Sequence, residues 1–375
     1  MMKFLEAVLI LSGMIIGVGM FGIPFSFVRA GFVLGALELL LLSGVVLMFH
    51  LLYGEVVLKT PAFHRLPGYV ALYLGPRAAL ISWASALFGI SGTLLVYLVL
   101  GTLFLKNLAL RTAGASSEFL LVALIVIFGA AVTFFPPKKE ALVNGILTGL
   151  LILFIISLSV LLIPQVQTEN LYGFHPKNVF VPYGILLFAL SGGVVIPDLI
   201  TLLGRERRKS LSAITAGSLI PSAVYFIFAL AVVGVTGGNT SEEAIQGLGR
   251  VLGSWMVLVG SAIGFLAVFT SYIVLSSSFQ ALLRLDFRAP KYAAWAVASL
   301  IPVFLYFLGF QNFILIIGAV GAIAVGIDSL LILVMHYRLR KAEGVAMSFF
   351  SYAWRAGIFA VIAAGVLYES VVLSF

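Results

Sequence analysis

The sequence contains no cysteine, which excludes disulfides, thiolate metal sites and a cysteine nucleophile. Charge is nearly as scarce: 10% of the 375 residues are Asp, Glu, Lys or Arg against 62% hydrophobic, and mean hydropathy is +1.20. A water-soluble domain of this size is not built on so little charge. There is no nucleotide-binding loop, no zinc-type cluster, no HExxH and no Ser/His/Asp arrangement, so the chain reads as a non-enzyme without a cofactor.

What is present is a series of long apolar runs. A bilayer core takes about 20 apolar residues per helix, and runs bounded by Pro, Gly and charge give about eleven, near 4–28, 31–57, 78–105, 118–135, 139–164, 180–203, 211–236, 252–283, 292–309, 312–336 and 351–372. A membrane barrel would need strands of roughly 10 residues with strict alternation instead. The first run is too long, and too soon followed by another, for a cleaved signal peptide. The net charge of +8 reflects the positive-inside rule rather than nucleic acid: with the N-terminus inside, 17 of the 22 Lys and Arg fall on cytoplasmic segments. An odd span count then places the C-terminus outside. The expectation is an all-α, multi-pass protein of the cell membrane, in contact with lipid, with no nucleic-acid partner and no obligate protein partner evident.

Two segments outside the spans carry structure of their own. KTPAFHRLPGYVALYLGPRA, 59–78, mixes basic residues, prolines and aromatics and suits a cytoplasmic loop with a short interfacial helix. GGNTSEEAIQGLGRVLG, 237–253, reads as a short outer helix capped by Thr240 or Ser241.

Glycine and proline, costly to helices, are concentrated inside a span. GMIIGVGMFGIP, 13–24, holds four glycines and a proline, and GGVVIPD in span 6 echoes its end, with Gly192 five residues before Pro197 as Gly19 is before Pro24. The motifs are five spans apart, an odd number, so the second enters the membrane from the opposite side. The organisation is a single membrane domain, 1–375, built as a 5+5 inverted repeat: 1–164, then 177–337, with an eleventh helix at 350–373. Freed amides and carbonyls in hydrocarbon cost several kcal/mol each unless satisfied. Unwinding at Gly17-Val18-Gly19 would present carbonyls from one half-helix and amides with a positive dipole end from the next, which suits the two ends of a zwitterion. Close helix packing through small residues is the alternative reading of either motif.

SGMIIGVGMFGIPFSFVRAGF resembles the first-span signature of the amino acid/auxin permease branch of the amino acid, polyamine and organocation superfamily, which includes the tryptophan/tyrosine permeases. The resemblance implies a leucine-transporter-like fold whose broken spans 1 and 6 hold the substrate. It places the carboxylate on the amides of Val18 and Gly19 beside Gly17, and the ammonium on the carbonyls of Ile15, Phe188 and Ala189 with the Ser191 hydroxyl. FALSGG, 188–193, is similar to the fold's Phe-x-Leu-Ser pattern. Phe188 and Val194 would shape the side-chain pocket.

Span 8 contributes adjacent hydroxyls, Thr270 and Ser271. In sodium-coupled relatives such a pair joins span 1 carbonyls, which map to Gly13 and Ile16; the alternative is that both bond back to their own helix. Three acids lie within spans. Asp328, in register with Ala324 and Gly321, would point into the bundle as a proton site or gate; Asp198 would act there or cap a restarting half-helix; Glu38 would act there or snorkel to the interface. Tyr97 in span 3, on a stripe with Gly89, Thr93 and Gly101, would reach a substrate carboxylate or simply pack. Span 5 holds no lysine of the kind that replaces sodium in some relatives, Lys138 and Lys139 being at its mouth.

Together these point to a secondary active transporter of neutral amino acids, aromatic or branched ones included, by sodium symport. A proton-coupled permease is the alternative, and a channel or structural membrane protein is the rival from another class.

Overall fold

The computed structural model describes residues 2–112, 117–135, 140–285, 287–344 and 349–372, and these are helical with short connections. In chain order the helices are α1 (Met2–Ile15), α2 (Ile23–Ala30), α3 (Phe32–Lys59), α4 (Leu66–Leu74), α5 (Pro76–Thr112), α6 (Glu118–Phe134), α7 (Glu140–Leu162), α8 (Val181–Leu190), α9 (Ile196–Leu202), α10 (Arg207–Thr236), α11 (Ile245–Leu252), α12 (Ser254–Leu285), α13 (Lys291–Phe307), α14 (Phe313–Ala319), α15 (Gly326–Ala342) and α16 (Phe349–Val372).

Among the described residues, seven helical segments are long and apolar enough to cross a membrane, and the pair α1 and Val18–Ala30, bent by 48°, makes an eighth. Three shorter apolar helices, Glu118–Phe134, Lys291–Phe307 and Gly357–Tyr368, coincide with the remaining expected spans. Lys138 and Lys139 lie outside the described residues. The short helix α4 occupies the loop where an interfacial helix was expected.

The helix expected at 237–253 forms, but it begins at Ile245 and not after Thr240. The Thr240 hydroxyl is taken by Thr236 and the Gly237 carbonyl. Capping falls to the Glu243 carboxylate, which accepts from the Gln246 amide at 2.9 Å, and to Ser241, which accepts from Gly247 at 2.8 Å. Glu243 is buried in this connection, and burial raises its carboxyl above the usual carboxylate range.

Packing sorts the helices around the breaks. α10 lies along α3, α1, α2 and α7, while α12 lies along α5, α7, α13 and α6. α8 meets the middle of the tenth span, where α14 and α15 are joined by a π-turn at Val320–Val325. That contact is made by backbone: a Cβ on Gly321 would overlap the Gly184 carbonyl, and one on Gly184 would overlap Gly318. Small residues there let α8 and the π-turn press together where bulkier ones would hold them apart.

Candidate functional site

Both glycine motifs are breaks. α1 ends at Ile15, Gly17 is extended (φ −145°, ψ −152°), a 3-10 turn covers Val18–Gly22, and α2 restarts at Ile23. α8 ends at Leu190, Ser191 and Gly192 are non-helical, a 3-10 turn covers Gly193–Val195, and α9 restarts at Ile196. In each case the restarting helix has its proline as second residue, Pro24 and Pro197. Proline fits there because its missing N–H is one the first turn leaves unbonded anyway, and its fixed φ is already helical.

The two breaks interlock. A Cβ on Gly19 would stand 2.8 Å from the Ala189 Cα and 2.9 Å from the Phe188 ring, and one on Gly192 would stand 2.6 Å from Ile15. Each glycine is thus the place where the other broken helix approaches. Gly17 differs, because a Cβ there meets nothing within 4 Å. The tight positions are Gly19 and Gly192. The amides of Val18 and Gly19 begin the 3-10 turn, where helix geometry provides no intrahelical acceptor.

The freed groups are held from α10 and α3, which sequence reasoning passed over. The Tyr225 hydroxyl shares its one proton between the Ile15 carbonyl, at 2.6 Å, and the Ala189 carbonyl, at 3.1 Å. Ser12 donates to the Gly217 carbonyl at 3.1 Å. The Gly192 amide donates to His50 Nε2 at 3.3 Å, and His50 Nδ1 lies 2.9 Å from the Ser218 hydroxyl. With Nε2 accepting, Nδ1 carries the proton of a neutral ring. Ser191 donates to the Phe188 carbonyl at 2.9 Å. The signal for these partners was faint: Gly217, Ser218 and Tyr225 share a face of span 7, but that face is recognisable only once its packing is known.

The cation ligands proposed from sequence are less closely drawn together. α1 packs mainly on α10 and α9, and Gly13 faces Thr148 of α7. Ile16 lies in the first break, its amide bonded to the Ser12 carbonyl at 2.8 Å. Thr270 donates to the Leu266 and Ala267 carbonyls of its own helix. Ser271 is hydrogen-bonded to Tyr97 across α12 and α5. So the structure joins Tyr97 to Ser271, and it gives Thr270 the back-bonded arrangement common for membrane threonine.

The acids part company. Asp198, in the first turn of α9, pairs with Arg65 at 2.6 Å, and Arg65 also donates to the Val194 carbonyl at 3.1 Å. Asp328 follows the π-turn and interacts with Ser85 of α5, while its Oδ1 is buried with no hydrogen bond among the described residues. Both carboxyl oxygens of Glu38 are likewise buried without a hydrogen bond among the described residues, so Glu38 does not snorkel.

Burial differs on the two sides of the breaks. Met20, Phe21 and Phe104 are fully buried on the side of the α2 restart, and Phe21 and Phe104 meet edge to face at 5.3 Å. On the side of Arg65, Val194 is 55% exposed.

Residues 1–372 match the model of the tryptophan/tyrosine permease family. Among characterised proteins the chain is similar to "Glutamine transporter 2" of Aliivibrio fischeri, at 23% identity over 91% of this chain and 90% of that one. It is also similar to "Tyrosine-specific transport system 2" of Haemophilus influenzae, at 27% identity over 65% and 61%. Among solved structures it resembles MhsT in complex with L-phenylalanine, with a TM-score of 0.67, 15% identity and 98% of each chain covered. It also resembles inward-facing Mhp1, with a TM-score of 0.67, 14% identity and 99% and 89% covered. At these identities the structural likeness establishes the fold, which is the one the first span suggested.

Proposed function

We propose, for a chain that belongs to the tryptophan/tyrosine permease family, a carrier of neutral amino acids across the cell membrane, working by alternating access with its N-terminus in the cytoplasm. The observation that carries this reading is the interlock of the two breaks, Gly19 against Ala189 and Gly192 against Ile15. Mid-membrane backbone is freed there on two helices at once.

In this reading the substrate carboxylate binds the amides of Val18 and Gly19 next to Gly17, and the ammonium binds around Ile15, Phe188, Ala189 and Ser191. Phe188 and Val194 face the side chain, and Tyr97 borders the pocket. Among these residues none carries a charge, so a charged substrate side chain would be left unpaired at high cost. The two relatives, a glutamine transporter and a tyrosine-specific transport system, concern neutral side chains too.

For the coupling ion we propose sodium, held by the carbonyls of Gly13 and Ile16 with Thr270 and Ser271 once α1 and α12 draw together. A proton is the second reading, favoured by the buried, unbonded Oδ1 of Asp328 and by the bonding of Thr270 within its own helix. Rocking of the first five-helix unit, 1–164, against the second, 177–337, would open each side in turn.

Proteoliposomes loaded with unlabelled tyrosine, glutamine or leucine and given the labelled amino acid test the class of activity. A carrier gives saturable uptake and counterflow; flux that never saturates and shows no counterflow would put a channel in its place.

A further inference from the structure

The hydroxyl of Tyr225 stands where two helix ends meet. Ile15 is the last residue of α1, 14 residues long, and Ala189 is the penultimate residue of α8, 10 residues long; their carbonyls converge on that one oxygen at 2.6 and 3.1 Å. The C-terminal end of a helix bears the equivalent of about half a negative charge. Two such ends aimed at one point inside a membrane repel each other and call for a positive group between them. The bonded group there is a phenolic O–H whose residue is fully buried. The backbone of Gly17, in the first break, meets the same oxygen.

The helix carrying Tyr225 is held at both breaks by other bonds, Ser12 to Gly217 and Gly192 through His50 to Ser218. Tyr225 is therefore placed by a scaffold that does not depend on its own hydroxyl.

We infer that the Tyr225 hydroxyl is a built-in replacement for a bound cation, positioning the ends of α1 and α8 against each other, and that removing it creates a site for a small monovalent cation. The carbonyls would then need a ligand with no directional demand and a full positive charge, which lithium, sodium or potassium supplies and bulky choline does not. The inference is independent of the ion proposed to drive transport, whose ligands lie at Gly13, Ile16, Thr270 and Ser271. It rests on the proposed function only where amino acid binding is the readout.

The test compares purified wild type, Tyr225→Phe and Tyr225→Gln in choline, lithium, sodium or potassium chloride at equal ionic strength, by thermal unfolding and by binding of labelled L-tyrosine. Tyr225→Phe keeps the ring and strands two buried carbonyls; Tyr225→Gln offers two N–H donors. In choline, Tyr225→Phe is expected to unfold several degrees below wild type and to bind about tenfold more weakly. At about 100 mM, at least one of the three small cations should restore half or more of the unfolding deficit, since a ligand that binds only the folded state stabilises it by mass action. That cation should shift wild type and Tyr225→Gln less. A Tyr225→Phe protein that unfolds with wild type in choline, or that is destabilised or fails to fold equally in every salt, overturns the inference. Because the unfolding arm needs no amino acid, cation rescue without tyrosine binding would leave the inference standing and count against the proposed function alone.

Discussion

Arg65 Nη1 lies 2.6 Å from Asp198 Oδ2 and 3.1 Å from the Val194 carbonyl, so one side chain from the loop between α3 and α4 holds both the break in span 6 and the half-helix that restarts after it. Both partners are about half exposed, at 54% and 44%. A pair in that setting contributes about 0.2–1 kcal/mol. It biases a conformational equilibrium without locking it.

Asp198→Asn should therefore loosen the Arg65 side of the carrier by a factor of up to about five. Because the chain has no cysteine, Val194→Cys gives a single reactive position for a membrane-impermeant maleimide. Labelling should run faster in the Asp198→Asn background when the reagent reaches the Arg65 side; an unchanged rate would mean the pair does not restrain the break.

The coupling ion is decided by two substitutions with opposite signatures. Under sodium coupling, Thr270→Ala with Ser271→Ala should raise the sodium needed for half-maximal amino acid binding by about tenfold or more, with a reciprocal loss of amino acid affinity at fixed sodium. Under proton coupling the same change should leave ion dependence alone, and Asp328→Asn should flatten the pH profile of uptake. Wild-type uptake that proceeds equally in sodium-free buffer under an imposed proton gradient would remove sodium from the account.

His50 links the Gly192 amide to Ser218, so His50→Ala leaves the buried Gly192 amide without its acceptor and the Ser218 hydroxyl without the donor that faces it. The cost of such unmade bonds, about 1–3 kcal/mol, should appear as amino acid binding weakened by at least about fivefold. His50→Gln, which keeps an acceptor, should lose less. Equal losses in both variants would mean that the ring's bulk matters and its nitrogens do not.

The breaks were legible in the sequence because their causes are local. Gly17, Gly19 and Gly192 weaken the helix where they stand, and Ile-Pro marks each restart regardless of what packs nearby. The groups that satisfy the breaks were not legible, because Tyr225, His50 and Arg65 reach them from other helices. Their roles depend on how α10 and α3 are rotated, and on a loop folding back, none of which periodicity records. For Thr270 the sequence left a cation and its own helix both open, and the hydroxyl bonds the Leu266 and Ala267 carbonyls of its own turn. Glu38 looked close enough to the end of span 2 to reach water, yet its oxygens are buried. For α11 the sequence offered Thr240 or Ser241 as the cap; Ser241 accepts from the Gly247 amide, and Glu243, which accepts from Gln246, was not anticipated in that role.

The central claim, that an amino acid binds where the two breaks interlock, is tested most directly by equilibrium binding of labelled tyrosine or glutamine to purified Gly17→Ala and Gly19→Ala. A methyl at Gly17 enters open space, while one at Gly19 meets backbone of Ala189 at 2.8 Å. Overpacking of that kind costs about 1–3 kcal/mol. The account predicts near-wild-type binding for Gly17→Ala and at least about tenfold weaker binding for Gly19→Ala, with Gly19→Leu binding nothing while still inserted and folded. Wild-type affinity in a well-folded Gly19→Leu protein would contradict it.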